Sequence, residues 1–307
     1  MISISSILVD IDATAADHPA LQRAARLATG CGARVKIVDV LPRVPAAVRH
    51  VLTPKLEQEL VDHRRERLAA IAGRLQGFAV TSELLRGRPA SALIVEVLEG
   101  GHDLLMRSHA RDLTDQSPPF GAVDMELLRS CPCPVWLIGP RDASAVPWRI
   151  LAAVHANPDD AVEQELNRTI LEWALTLKSF GEADLTLLQA WTAYGANLLR
   201  TRMSHQEFTE FIGSARRTAD EALSGLVASF APRLEGVAVE LVQGEPEQVI
   251  ERFVESHGIA LVVMGTVART GIAGLVMGNT AERVLQRLRG SVLAIKPPGF
   301  RSPLDPR

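Results

Sequence analysis

The chain has 307 residues, 47% of them hydrophobic, 22% charged and 4% aromatic, and a formal net charge of −3. That length suits two units of roughly 150 residues with aliphatic, Ala-rich cores. The near-neutral balance gives no basic footprint, which disfavours nucleic acid as a main partner, and a membrane span is disfavoured because Arg269 cuts the apolar stretch Gly258 to Gly278 into runs of about ten residues where about 20 are needed.

The opening MISISSILVDID lacks the basic n-region of a secretory leader and reads directly as a strand, so the expected location is cytoplasmic. Ile7 to Ile11 is a continuous apolar run ending at Asp12, as expected of a parallel strand covered on both faces. Asp17-His18-Pro19 predicts the cap of a helix that runs to about Thr29, with Gly30 and Gly32 placed to stop it. Val35 to Val40 reads as a second strand. After a loop marked by Pro42 and Pro45, the helical spacing of Leu56, Leu60, Leu68, Ile71 and Leu75 predicts a long amphipathic helix. Val80 to Leu85 is a third strand, followed by a turn at Gly87-Arg88-Pro89 and a short helix from Ala90 to Leu98. Asp103 to Met106, a helix from Asp124 to Arg129, and Val135 to Ile138 complete the series. Strands alternating with helices predict a parallel, doubly wound sheet.

From Trp148 the same order begins again. Ile7-Leu8-Val9 matches Ile150-Leu151-Ala152 at a shift of 143, and Ala33 matches Ala183 at 150. Gly87-Arg88-Pro89 matches Gly244-Glu245-Pro246 at 157, Leu104-Leu105-Met106 matches Val262-Val263-Met264 at 158, and Val135 to Ile138 matches Val292 to Ile295 at 157. A repeat of this length is a duplication of whole domains, residues 1–140 and 148–300, joined by the linker Gly139 to Pro147.

The second copy contains the most informative stretch, Leu261 to Lys296: a buried strand, a glycine-rich loop, a helix opened by Asn279 and a second apolar strand. Glycines that admit φ > 0 and close backbone approach, followed by a helix N-terminus, are the grammar of a phosphate loop. Neither G-x-x-x-x-G-K-[ST] nor a strand-borne G-x-G-x-x-G occurs there. The run GEPEQVIERF, VVMGTVARTGI, GNTAERVLQRLRG and LAIKP resembles the universal stress protein family in its tandem, two-domain form. The first copy shares it by strand order and by CPCPVWLI.

The resemblance implies two tandem doubly wound parallel five-stranded sheets of the adenine nucleotide alpha hydrolase-like type. They would pack as an intramolecular pseudo-dimer through Val135 to Ile138 and Val292 to Ile295, with further dimerisation allowed. It also implies an ATP site at the carboxyl edge of the sheet in those members that bind nucleotide. Carried over by resemblance, the candidates in the second half are His155, Ala190, Met264, Gly265, Ala268, Arg269, Thr270, Gly278, Asn279 and Thr280. Asp12 and Gly121 are the remnant in the first half. The family loop runs Gly, two residues, Gly, nine residues, Gly, then Ser or Thr. Ala268 stands at its second glycine, and Asn279 supplies a capping side chain in place of Ser or Thr. His155 takes the place of the ribose-binding Asp and is a poorer partner for vicinal hydroxyls. In the first half Asp12 is kept, but Arg107 and Ala110 are read at the glycine positions. The first half is therefore expected not to bind ATP, and the second to bind it weakly or not at all.

Other constellations favour structural readings. Cys131-Pro132-Cys133-Pro134 has neither redox nor zinc spacing, and no disulfide framework is available from three cysteines. His102, His109 and His155 lie near strand ends without a recognisable ligand pattern, so no metal is expected. There is no G-x-S-x-G elbow and no H-E-x-x-H, which leaves enzyme chemistry by those routes unsupported. Arg269 and Thr270 are balanced between anion contact and solvation. Leu198 to Phe211 reads as one helix whose apolar side chains favour core over the wall of a ligand hollow. The reading that follows is a non-enzymatic stress-response module that binds a protein partner the sequence does not name. The alternatives are an ATP or adenylate sensor using the second half, with no obligatory cofactor, and a carrier of another small apolar or anionic ligand.

Overall fold

A computed structural model gives the fold and describes residues 1–43, 53–109, 119–139, 148–181, 183–266 and 277–305. The first half runs β1 (Ser6–Asp10), α1 (Pro19–Cys31), β2 (Arg34–Leu41), α2 (Pro54–Ala72), β3 (Val80–Arg86), α3 (Pro89–Gly100), β4 (Leu104–Ser108), α4 (Ala122–Ser130) and β5 (Val135–Ile138). The second runs β6 (Trp148–Val154), α5 (Ala161–Ser179), β7 (Ala183–Trp191), α6 (Ala196–Leu199), α7 (His205–Ala228), β8 (Ala238–Gln243), α8 (Pro246–His257), β9 (Leu261–Gly265), α9 (Asn279–Arg287) and β10 (Ser291–Ile295). Ala110, the linker residues 140–147, and the candidates Ala268, Arg269 and Thr270 lie outside the described residues.

The strands make one sheet in the order β3-β2-β1-β4-β5-β10-β9-β6-β7-β8. Each half is parallel, and the two join through antiparallel pairing of β5 with β10, Trp136 opposite Leu293 and Leu137 opposite Val292. The expected pseudo-dimer is therefore built inside one chain, and two apolar strands that would be aggregation-prone edges cover each other. The cores run through this seam. Alternate strand residues such as Ile7, Val9, Leu104, Trp136, Leu261 and Leu293 join one apolar cluster with α1 and α5. Leu8, Leu105, Leu137, Val262 and Val292 join another with α3, α4, α8 and α9. Trp136 stacks on Trp148 of the second half at 5.7 Å. Polar cross-ties follow the seam: Arg129 donates to Glu282 at 2.7 Å, and the Nζ of Lys296 donates to the carbonyl of Leu128. Among the described residues no helix is long and apolar enough to cross a membrane.

Three local expectations are revised. Asp17 does not cap α1: it accepts from the His18 N–H and the Gln22 amide, while the Ala20 N–H donates to Ser108 Oγ at 2.9 Å and so ties the start of α1 to the end of β4. Leu198 to Phe211 is not one helix. Ser204 and Glu207 form a capping box that starts α7 afresh after α6, and Leu198 is 58% exposed and faces solvent.

The third revision concerns the internal alignment. Ile7 pairs with Leu104 and Ile150 with Leu261, so β4 maps onto β9 at a shift of 157, the same shift that relates β5 to β10. A slip of one residue exchanges the faces of every side chain in a strand. Ser108, rather than Arg107, therefore stands where Gly265 stands, and Arg107 corresponds to Met264.

Candidate functional site

In a doubly wound sheet, ligands bind at the carboxyl edge where the chain order reverses. Here those switch points lie between β1 and β4 in the first half and between β6 and β9 in the second.

The first switch point is filled by the protein's own charges. Asp10 ends β1 and sits directly across from Arg107 of β4, so the two side chains share a face. The Arg107 guanidinium donates through Nη1 to Asp10 Oδ2 and through Nε to Asp124 Oδ1 at 2.9 Å. The other oxygen of Asp124 accepts the Gly121 N–H at 2.9 Å. The N-terminus of α4, which attracts anions through its free N–H groups and dipole, thus already holds a carboxylate. Both acids are buried. Burial pushes the Asp10 carboxyl up, to about 6, against the opposing pull of Arg107. Asp12, the expected ribose contact, lies just outside this cluster. Its Oδ1 accepts from the Thr14 hydroxyl at 2.6 Å and from the Thr14 N–H at 2.9 Å, and the Thr14 hydroxyl in particular holds its carboxyl below the usual range. The next acid, Asp39, is buried against Arg64 at 2.8 Å.

Among the described residues, Ala153, Met264 and Ala281 of the second switch point are apolar where their counterparts in the first are charged. Ala153 pairs with Met264, and the residue of α9 equivalent to Asp124 is Ala281. Ala190, Met264, Met277 and Ala281 share one apolar cluster. The cap of α9 is Gly278, with φ −63° and no side-chain cap bond, which corrects the expectation that Asn279 caps the helix. Asn279 and Thr280 are exposed in the first turn. The chain reaches this helix from a buried hub: the Gly278 N–H donates to the Thr266 carbonyl at 3.0 Å, and Lys296 Nζ donates to Thr266 Oγ1 at 2.8 Å. Burial brings the Lys296 amine down to about 8. His155 is half exposed at the end of β6. Asn167 of α5 clamps its backbone through bonds of 3.1 and 2.7 Å, and its Nε2 lies 3.9 Å from Glu163.

Gly265 turns out to answer to packing. A Cβ built on it would lie 2.6 Å from Leu166 Cδ2, and its φ is not left-handed. The glycine admits α5 to the end of β9, as Ser108 meets the smaller Ala20 of α1 in the first half. Gly121 likewise has an ordinary φ of −78°. The φ > 0 expected of loop glycines therefore does not occur at Gly121, Gly265 or Gly278.

The structure brings Ala190, Met264, Gly265, Gly278 and Asn279 to one end of the second half, with His155 on the neighbouring strand. Sequence reasoning missed Asp10, Asp124, Thr266 and Lys296. The available signal was a charge interrupting an apolar run, as Asp10 does in ILVDID and Arg107 does after LLM. The three histidines go to separate partners: His102 to Ser6 and Glu96, His109 to the Gly290 carbonyl, and His155 to Glu163. Cys131 and Cys133 are buried thiols 3.6 Å apart, and the hydrogen bond between them, with burial, pushes the Cys133 thiol up.

Comparison with known proteins adds an independent line. The sequence pattern described as the universal stress protein family matches twice, over residues 4–139 and 158–296. The chain is similar to Universal stress protein E of Escherichia coli (strain K12), 29% identical over 323 residues that cover 99% of this chain and 98% of that one. It is also similar to Universal stress protein E of Photorhabdus laumondii, at 28% identity and the same coverage. Among solved structures, a Pseudomonas aeruginosa UCBPP-PA14 protein assigned to the same family superposes with a TM-score of 0.68 at 25% identity, covering 96% of this chain and 94% of that one. A universal stress protein from Archaeoglobus fulgidus DSM 4304, at 16% identity and a TM-score of 0.63, covers 95% and 96% and shares the fold.

Proposed function

The chain belongs to the universal stress protein family, and from that premise we propose that its two units, residues 1–140 and 148–300, act as a non-enzymatic binding module of the stress response in which the first nucleotide site has been closed from within. The observation that carries this reading is Arg107 bound between Asp10 and Asp124. A phosphate at that helix N-terminus would have to displace a carboxylate that already caps it, and would compete with two buried acids for Arg107. Displacement of a buried, hydrogen-bonded charge costs about 3–5 kcal/mol, which removes most of the affinity a nucleotide could gain there.

A second reading, an adenylate site in the second half alone, is favoured by one contrast: α9 has no acid of its own at Ala281, and its Gly278 cap makes no side-chain bond. Calorimetric titration with ATP, together with native mass spectrometry of the purified chain, separates the readings. No ATP heat and no co-purified nucleotide support the closed module. One nucleotide per chain, lost on Gly278→Asp and kept on Asp12→Ala, supports the second-half site. Binding that is lost on Asp12→Ala refutes closure of the first half. A co-purified mass that is not a nucleotide points to the carrier.

A further inference from the structure

The outer side of α3 carries a groove that the switch-point chemistry does not use. It is an open cavity of about 450 Å³ between α3 and β3, and among the described residues β3 ends the sheet, pairing only with β2. Helix and strand run in opposite directions, so the carboxyl end of β3 lies beside the start of α3. Arg43, Arg86 and Arg88 line that end of the groove, and Glu83, Glu96 and Glu99 line the other. Leu85, Ala92 and Val95 lie between them, and Val95 is 40% exposed.

The acidic end is built from the core outward. Glu96 is buried and accepts from Lys36 Nζ at 2.6 Å, and the same amine lies 2.8 Å from Glu83. Behind it, Ser6 Oγ accepts from Arg34 at 3.0 Å and meets His102 Nδ1 at 2.8 Å, which leaves the Nε2 hydrogen of His102 for Glu96 at 3.2 Å. One lysine set against three glutamates leaves this end net negative. At the other end Arg88 lies 3.5 Å from Glu126, just outside the groove, and three arginines against one glutamate leave it net positive.

The duplication supplies the control. At the shift of 157, Arg86, Arg88, Glu96 and Glu99 become Gln243, Glu245, Phe253 and Ser256, and His102 becomes Ile259. Phe253 there stacks on His257 at 3.9 Å. The two copies of one scaffold differ in charge at Arg86, Arg88, Glu96 and Glu99, while Glu83 keeps its counterpart in Glu240.

We infer that this groove, with the open edge of β3 beside it, takes an extended peptide segment of a protein partner that carries a basic side chain toward the glutamates and an acidic one toward the arginines. Main-chain bonds to a sheet edge supply affinity, and alternate side chains read specificity. The spacing follows from the scaffold. Arg88 at the cap of α3 and Glu96 within it are eight residues apart, about 12 Å along the helix. An extended chain covers that distance in about four residues, so the two charges belong at positions i and i+4 with an apolar residue at i+2.

The test is fluorescence polarisation on the full chain with two labelled pentapeptides of one composition, lysine-threonine-valine-threonine-aspartate and its reverse. One order is expected to bind at least fivefold more tightly than the other, which fixes the strand direction. Arg86→Glu with Arg88→Glu, both exposed positions, weakens that peptide tenfold or more and improves binding of a version with lysine at both ends. Glu245→Arg in the other half leaves binding unchanged. Equal binding of both orders, no binding at 1 mM, or indifference to the Arg86 and Arg88 reversals while the circular dichroism spectrum is unchanged overturns the inference.

Discussion

Arg107→Met replaces the guanidinium with the residue found at the equivalent position of the second half, and leaves Asp10 and Asp124 buried without their cation. From an ordinary value of 3.8, holding one such carboxyl protonated at pH 7 costs about 4 kcal/mol at 1.36 kcal/mol per pH unit. Asp10 already bears part of this cost, because burial holds it near 6, and Asp124 keeps its bond from Gly121. The expected loss is therefore about 3–5 kcal/mol at pH 7. The sign of the pH dependence is fixed. An acid whose folded pKa lies above its unfolded value favours the fold fully below about 4, and loses that contribution as pH rises through 6. Arg107→Met pushes the folded value higher still, so its penalty grows from pH 5 to pH 7 by about 1–2 kcal/mol. The triple variant Asp10→Ala, Arg107→Met, Asp124→Ala copies Ala153, Met264 and Ala281. It is expected within about 2 kcal/mol of the parent, since a buried ion cluster is often replaceable by apolar groups and the lost cap costs about 1 kcal/mol. Urea unfolding followed by the intrinsic fluorescence of the four tryptophans at pH 5 and 7 measures both. A single-variant penalty below 1 kcal/mol, or one independent of pH, refutes the reasoning.

Gly265→Ala is expected to destabilise by about 1–3 kcal/mol through overpacking against Leu166, and Leu166→Ala in the same chain recovers part of the loss; thermal unfolding of the three variants checks this. Lys296, with its folded pKa near 8 below an ordinary 10.5, makes the chain more stable as pH rises between those values, because the unfolded state binds the extra proton there; Lys296→Met abolishes that rise in a denaturation series from pH 8 to 10. Glu172 is held down to about 2 by its bonds to Arg233 and the N-terminus, so it stabilises above 4.5 and loses that contribution as pH falls toward 2. Glu172→Gln costs no more than about 1 kcal/mol at pH 7 for so exposed a pair, and the difference from the parent vanishes near pH 2. Cysteines placed at Leu137 and Val292, opposite each other across the β5–β10 seam, are expected to cross-link within one chain on oxidation; cross-links found only between chains on non-reducing gels contradict the intramolecular pairing.

The fold was legible because its signals are redundant. Continuous apolar runs gave the strands, Gly32 with φ 72° closed the first helix where a C-terminal glycine is expected, and a second copy repeated the whole order. The site was less legible because it depends on contacts between residues far apart in the chain. Nothing near Ala20 announces that Ser108 will accept its N–H, and nothing near Leu128 announces Lys296. The internal alignment failed for a related reason. Leu104-Leu105-Met106 fits Val262-Val263-Met264 and Leu261-Val262-Val263 about equally well by hydrophobicity, and the strand pairing on both sides of β4 and β9 separates a shift of 158 from 157.

That one residue changes the physical meaning of Arg107. Read in the place of a loop glycine, it obstructs a phosphate by bulk. Placed on the face of Met264, it is the cation of a buried cluster whose acids come from β1 and from the first turn of α4, and the obstruction becomes electrostatic. A helix N-terminus already satisfied by Asp124 offers a phosphate little, however much room the loop leaves. The same argument removes weight from Gly265, whose missing side chain is accounted for by Leu166. What distinguishes the halves is thus two acids and an arginine present in one, Asp10, Asp124 and Arg107, and replaced in the other by Ala153, Ala281 and Met264.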